Sequence, residues 1–405
     1  MKGIDRLDPN QPLSGPPEPW AETDMPSLRD AAPWHMTEMI EAEPALAERL
    51  LTRLAAPSGG AADLAEQIRA TAYRGASIVA TGCGTSEHGA QAVVEVVRDA
   101  MRVAGLPWRL GQGGAPVASQ AFEASLEDEL GAGGLVIGIS HEGATWATNG
   151  ALTAARSSGA AIGLITVSDR SPGAQQADVV IATEELDQSW CHTIGYLAPI
   201  LAATAVGGHI SGRPVDPAVV RSALAAGLAA DAVAATEQLA AALAGVDRII
   251  VIGSGVDRIA ASELALKIEE GTHIAATARD IETLLHGHLA GMDERTGLVL
   301  IATDPSHAED RLARATAAVR AAAAIRCPIG VIAGAAYRDG FADQLLVSPA
   351  ADVAGLPRAV AGLMTSAVPL QLLTERIARV RGINPDPIRR DHPAYLRAAE
   401  AASAG

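Results

Sequence analysis

One unit recurs in this chain: a β-branched run, a glycine turn and the start of a helix. It reads IVATGCGTSEHG near residue 80 and IIVIGSGVDRIA near residue 250. A short strand that passes through glycines straight into a helix has no hairpin partner beside it, so it belongs to a parallel βαβ arrangement. Further strand-like runs follow each copy, at 135–139, 162–167 and 179–182 after the first strand at 77–81, and at 297–302, 330–333 and 345–347 after 248–252. The spacing predicts an α/β chain of two similar doubly wound parallel-sheet lobes in tandem, with ligands at the carboxyl ends of the strands. The expected divisions are an N-terminal arm and helix at 1–50, a first lobe at 51–215, a connector with the second lobe at 216–380, and a tail at 381–405. The first 33 or so residues, rich in proline, read as an extended arm suited to wrapping a partner subunit. Residues 34–51 read as a helix kinked or split at Pro44. The connector, alanine-rich over 216–244, reads as helical.

Composition limits the partners. A net charge of -16 repels nucleic acid and anionic membrane. Cys83, Cys191 and Cys327 follow no metal-ligand spacing and leave one cysteine over under any pairing, which points to a reducing cytoplasm. The opening twenty residues have no apolar signal core, and the apolar runs elsewhere are broken by glycine, proline or charge, so no membrane span is expected.

The glycine turns resemble nucleotide fingerprints only weakly, because each lacks the third glycine of GxGxxG. The first turn instead sets the hydroxyls of Thr85 and Ser86 at a helix N-terminus, facing the turn Ser140-His141-Glu142-Gly143-Ala144-Thr145 across neighbouring strand ends. Two such turns can hold a phosphate or similar anion, or the hydroxyls can simply cap their helices. In the second lobe the matching turn, 303–307, places an acid and a proline where backbone donors would be wanted. Only the first lobe is therefore expected to carry an anion site.

The segment 261–292 carries the acid/base candidates. Glu263, Lys267 and Glu270 fall at i, i+4 and i+7 on one helical face. That is also the pattern of a surface ion pair. The chain has only two lysines, Lys2 and Lys267, so Lys267 is the single candidate for an interior amine. Downstream, His286 and His288 form an HGH pair with no third metal ligand at a recognisable spacing. In SWCHTIGY, Cys191 and His192 are adjacent and so poorly placed to act as nucleophile and base; His192 and Thr193 are candidate ligand contacts or packing residues. Trp146 and Trp190 are candidates to close a pocket, or core.

With these stretches in view the chain resembles the tandem sugar isomerase (SIS) domain family, and is similar to the isomerase half of glucosamine-6-phosphate synthase. The matching stretches are MTEMIEAEPAL at Met36, GCGTS at Gly82, SHEGAT at Ser140, ELALKIEEGTHI at Glu263, LLHGHLAGMD at Leu284 and VPLQLLTERIARVRGINPD at Val368. The resemblance implies two flavodoxin-like SIS lobes, a homodimer, no cofactor, and a small-molecule sugar or sugar-phosphate substrate. It implies that Thr85, Ser86, Ser140 and Thr145 bind the sugar phosphate and that Glu270 moves a proton between C1 and C2, with Lys267 beside it. His286 matches the histidine linked to ring opening, supplied in that family by the partner subunit.

Two departures bear on the substrate and the reaction. The family turn reads Ser-x-Ser-Gly-x-Thr, and here the second serine is Glu142, which repels a phosphate unless it points away or meets an arginine. Glu142, with His141 beside it, would suit a sugar hydroxyl or an ammonium. The C-terminal lysine that forms a Schiff base in the synthase is missing, with His392 near its position, and no glutaminase half accompanies these lobes. The expected activity is therefore aldose-ketose isomerisation or deamination of an amino sugar phosphate through an enediol, rather than the synthase reaction. A sugar-phosphate-binding regulatory protein is the alternative.

Overall fold

Two five-stranded parallel sheets, each covered by helices, account for the two copies of the repeated unit. The structure, a computed structural model, describes residues 7–13, 18, 28–57, 60–107 and 114–403. The helices α1 (His35–Leu54) and α2 (Ala61–Tyr73) lead into the first lobe. That lobe runs β1 (Ile78–Gly82), α3 (Thr85–Val103), β2 (Pro116–Gln120), α4 (Ala121–Ser125), β3 (Leu135–Ile139), α5 (Trp146–Ser157), β4 (Ala161–Thr166) and β5 (Val179–Ala182). Three helices, α6 (Ile194–Ser211), α7 (Pro217–Ala226) and α8 (Ala230–Leu243), connect the lobes. The second lobe runs β6 (Arg248–Gly253), α9 (Asp257–Thr272), β7 (Ala275–Asp280), α10 (Ile281–Leu285), β8 (Thr296–Ala302), α11 (Ala308–Ala324), β9 (Ile329–Ala333) and β10 (Leu345–Val347). The chain ends in α12 (Arg358–Val380) and α13 (Pro393–Ser403).

Strand order is β2-β1-β3-β4-β5 in the first sheet and β7-β6-β8-β9-β10 in the second, every pair parallel. The two orders are the same. In each, the chain leaves its first strand toward one edge and then returns to the other side, which opens a crevice where the order reverses. β1, β3 and β8 are buried along their whole length, as strands covered on both faces must be, and this is why they read as unbroken apolar runs.

The same close approach explains the glycine at each strand end. A Cβ on Gly82 would lie 2.5 Å from the Ser86 carbonyl oxygen, and one on Gly253 would lie 2.3 Å from that of Asp257. The helix that follows therefore starts directly over the strand end, and its first turn faces the crevice.

The structure adds two strands, corrects the reading of the first helix and divides the helical connector. The edge strands β2 (PVASQ) and β7 (AATARD) were not legible, because an edge strand covered on one face carries no apolar run. α1 continues unbroken through Pro44, since its Met36, Met39, Ile40, Leu46 and Leu50 face is wholly buried and packing holds what proline weakens. The connector is two helices, α7 and α8, set at 47°. Asp216 caps the first of them through the Ala218 N–H, with Pro217 in the opening turn.

α6 is long and apolar enough to cross a membrane by length and composition, yet nearly all of it is buried in the fold. It packs against α1, α2 and α3, while α12 packs against α1, α3, α8 and α9, so the two lobes share a helical core. Of the expected arm, residues 1–6, 14–17 and 19–27 lie outside the described residues. The described parts rest on their own chain: Leu13 is buried and its N–H donates to Glu185 Oε2 at 2.8 Å, and the Leu7 N–H donates to Glu38 Oε2 at 3.1 Å.

Candidate functional site

The crevice of the first sheet holds a cavity of about 260 Å3. Its walls come from four places. The turn after β1 supplies Cys83 to Ser86, and the turn after β3 supplies His141, Glu142 and Thr145. The loop before α6 supplies Trp190 and His192. Glu270 enters from α9 of the second lobe, and Ile388 and Arg390 enter from the segment after α12.

The floor is a buried chain of charge. Lys267 is fully buried, and its Nζ donates to Glu270 Oε2 at 2.5 Å and to Thr85 Oγ1 at 3.0 Å, with Glu263 Oε1 at 3.5 Å. Glu263 also meets His88 Nδ1 at 2.6 Å and accepts from the Thr85 hydroxyl at 3.3 Å. The face formed by Glu263, Lys267 and Glu270 is thus an interior ion cluster and not a surface pair. Of its members Glu270 alone lines the cavity, its side chain 21% exposed. Burial raises the Glu270 carboxyl against the pull of Lys267. Burial acts the same way on Glu263, but Lys267 and the His88 and Thr85 bonds outweigh it and hold that carboxyl low. For Lys267, burial opposes the charge and the two carboxylates overcome it, so the ammonium is held firmly. With its amine sealed from the cavity, Lys267 acts on Glu270 rather than on a ligand.

The wall behind the cavity is held by Asp187. Its carboxylate accepts from the N–H groups of Thr193 at 3.1 Å, Ile194 at 3.2 Å and Gly195 at 2.6 Å, and so caps α6. Burial works against that charge, but the backbone donors of Thr193 and Gly195 help to keep it below the usual carboxylate range. The rings of His141 and His192 lie 5.0 Å apart. His141 Nε2 accepts from the Asp187 N–H at 3.0 Å, so the proton of its neutral ring is on Nδ1. Burial lowers the His192 pKa to about 4, so this imidazole is also neutral. Thr193 is fully buried behind the wall and does not line the cavity. Cys191 is likewise buried, with its thiol pushed well up by desolvation, which leaves it inert.

In the turn after β3, Ser140 lies beneath the surface. Its hydroxyl accepts from the Gly143 N–H at 3.2 Å and donates to Thr145 Oγ1 at 3.3 Å. Gly143 has φ +74°, and a Cβ there would lie 2.1 Å from Ser171 Oγ, so the turn requires glycine. Glu142 faces the cavity. Burial raises its carboxyl, opposed by Arg390.

Arg390 is the functional residue that sequence reading missed. Its guanidinium stacks 3.6 Å over the Trp190 ring, within the fields of Glu142 and Glu270. Its one sequence signal was a pair of arginines in the tail, which an arginine-rich chain hides. His392, two residues on, is exposed against Tyr395 and does not line the cavity. Trp146 is exposed beside Phe122, outside the cavity. His286 is three-quarters exposed, pairs with Glu282 at 3.2 Å and does not line the cavity of its own chain. His288 is exposed as well. Among the described residues no three His, Cys, Asp or Glu groups gather as metal ligands.

The matching crevice of the second lobe is filled by its own side chains. Asp304 accepts from the Val256 N–H at 3.2 Å and pairs with Arg311 at 3.4 Å, and a Cβ on Gly255 would collide with both side chains. Asp257 beneath it accepts from Thr303 and from the Asp304 N–H. An internal carboxylate and guanidinium occupy the place of a ligand.

Comparison with known proteins agrees with this architecture. Residues 242–329 match the SIS domain family model. The glutamine–fructose-6-phosphate aminotransferase (isomerizing) of Symbiobacterium thermophilum is 31% identical over 290 residues, covering 68% of this chain and 45% of that protein. The chain thus spans under half the length of this curated relative. The C-terminal domain of glucosamine-fructose-6-phosphate aminotransferase from Francisella tularensis superposes with a TM-score of 0.73 at 18% identity, over 89% of this chain and 100% of that one. The tagatose-6-phosphate ketose/aldose isomerase of Escherichia coli gives 0.66 at 17% identity, over 89% and 98%. These likenesses to solved structures show the fold. Two lobes of one strand order, the family match and the sequence relative lead to one conclusion: the chain belongs to the tandem SIS-domain family and resembles the isomerase half of glucosamine-6-phosphate synthase.

Proposed function

We propose that this protein is an enzyme that interconverts an aldose and a ketose by moving one proton between C1 and C2 of an open-chain sugar. The observation that carries the reading is Glu270, a carboxylate that lines the crevice and is held by a lysine buried beneath it. Glu270 takes the proton from one carbon to give an enediolate, the hydroxyl proton passes from the neighbouring sugar oxygen to the former carbonyl oxygen, and the carboxylic acid returns its proton to the other carbon. A carboxyl raised by burial suits that work, since the base must also release its proton. Ser86 and the neutral His141 and His192 line the same cavity and can hydrogen-bond the sugar oxygens as charge shifts between them. Loss of ammonia from an amino sugar would use the same transfer, and deamination is the second reaction this site supports.

A protein that only senses a sugar has no need of a lysine buried between two carboxylates, an arrangement with a large desolvation cost. The cluster therefore supports an enzyme over a regulatory binding protein. His286, exposed on its own chain, is assigned to the crevice of the partner subunit in a homodimer, where it assists ring opening.

The test is proton NMR in D2O with the purified protein and a panel of hexoses, amino sugars and their 6-phosphates. Deuterium entering at C1 or C2 of one sugar class is the expected result, with ammonia released alongside if the reaction is a deamination. Binding without exchange across the panel would contradict the enzyme reading.

A further inference from the structure

The crevice has the place of an anion site, but several of the donors such a site would use are already engaged, while the Ser86 and Thr145 side chains still line it. The Thr85 hydroxyl gives its one proton to Glu263, and the Ser140 hydroxyl gives its proton to Thr145. The N–H groups of Ser86 and Glu87 close on the carbonyls of Cys83 and Gly84, and the Gly143 N–H closes on Ser140 Oγ. The cations are equally committed. Lys267 is sealed beneath Glu270, and both histidines on the wall are neutral. Arg390 is the one cation lining the cavity among the described residues, and it faces two carboxylates, Glu142 and Glu270. A phosphate dianion placed here would add two negative charges beside two carboxyl groups and a single guanidinium.

We propose that Glu142 and Arg390 adapt the crevice to a sugar that presents hydrogen-bond donors, a hydroxyl or an ammonium, at the Ser140–Thr145 turn in place of a phosphate. A carboxylate can only accept, so it needs a donor on the ligand, and a phosphate dianion has none. Arg390, stacked on Trp190, opposes the burial that raises the Glu142 carboxyl. A buried carboxylate left unmatched is costly, and this penalises a ligand with the wrong group more than it rewards the right one. The proposal rests on the isomerase reading only in taking the ligand to be a sugar.

Calorimetric titration of the full chain with fructose, glucose and glucosamine, and with the 6-phosphate of each, tests it. The free sugars should bind at least about tenfold more tightly than their phosphates. Glu142→Ser, which restores the serine of the family turn, should reverse that order, and Glu142→Gln separates the two donors. Binding of glucosamine should fall about tenfold or more in Glu142→Gln if the donor is an ammonium, and binding of fructose should stay within a few-fold if it is a hydroxyl. Tighter binding of the phosphates by the unmodified protein, or an order unchanged in Glu142→Ser, overturns the proposal. Deuterium exchange separates this outcome from failure of the isomerase reading. Binding of free sugars without exchange removes the isomerase and leaves the donor preference, while exchange with phosphates alone does the reverse.

Discussion

Lys267 shows what one residue can do from outside a cavity. It is buried between Glu263 and Glu270, and burial of three charges is tolerated only because each neutralises its neighbour. Lys267→Met leaves two carboxylates facing each other, and a loss of about 3–5 kcal/mol in urea unfolding at neutral pH is expected. An unchanged midpoint would mean that the cluster is not closed. The same lysine pulls Glu270 down against its burial, so removing it should raise that carboxyl further and move the acid limb of the pH–rate profile to higher pH. This residue was half legible: the i, i+4, i+7 spacing and the scarcity of lysine marked it, but periodicity cannot tell a buried charged face from a wet one. Arg390 was not legible, because nothing local in IRRDH says that the tail folds back over the first sheet. Glu142 was legible as a departure from the family turn, and its orientation into the cavity was not.

At the scale of elements, helices hold the site as much as strands do. Glu43 on α1 is fully buried, its carboxyl oxygens have no donor, and its polar neighbour is the amide of Gln371 on α12. Gln371 Nε2 donates to the Thr193 carbonyl at 3.3 Å and so braces the loop that carries His192. Burial, with Asp187 nearby, raises the Glu43 carboxyl well above its ordinary range. The native state therefore keeps a proton that the unfolded chain loses above the free glutamate value of about 4.3. Stability falls as pH rises from that value toward the native one. Glu43→Gln removes the penalty, so its stability relative to the parent should improve as pH rises above the free glutamate value in urea titrations. A difference that stays flat or reverses would show Glu43 ionised. The strands divide by burial. Those covered on both faces were plain in the sequence, whereas β2 and β7, at the sheet edges, were hidden by their polar residues.

At the scale of the molecule, two lobes of one topology have diverged in use. The second keeps the strand, glycine and helix but fills its crevice with Asp304 and Arg311, and it supplies α9, and with it Glu270, to the first. The pairing of lobes could be read from the repeated glycine turns. The lending of α9 across the lobes could be reached only through the family resemblance, since long-range packing leaves no periodic trace. A dimer in which His286 serves the neighbouring crevice makes a sharp expectation. Glu270→Gln and His286→Ala should each be inactive alone, and co-expressed hybrids should recover about a quarter of the activity, as random pairing in a two-fold dimer requires. Full activity of His286→Ala, or no recovery in the hybrids, would remove His286 from the site.

The measurement that bears most directly on the central claim is the rate of deuterium entry at C1 and C2 of the sugar the protein binds, compared between the parent and Glu270→Gln. With Glu270 as the proton carrier, the rate should fall by about 10²–10⁴ while calorimetric binding of the sugar stays within a few-fold. Exchange in Glu270→Gln within tenfold of the parent would place the base elsewhere and contradict the account.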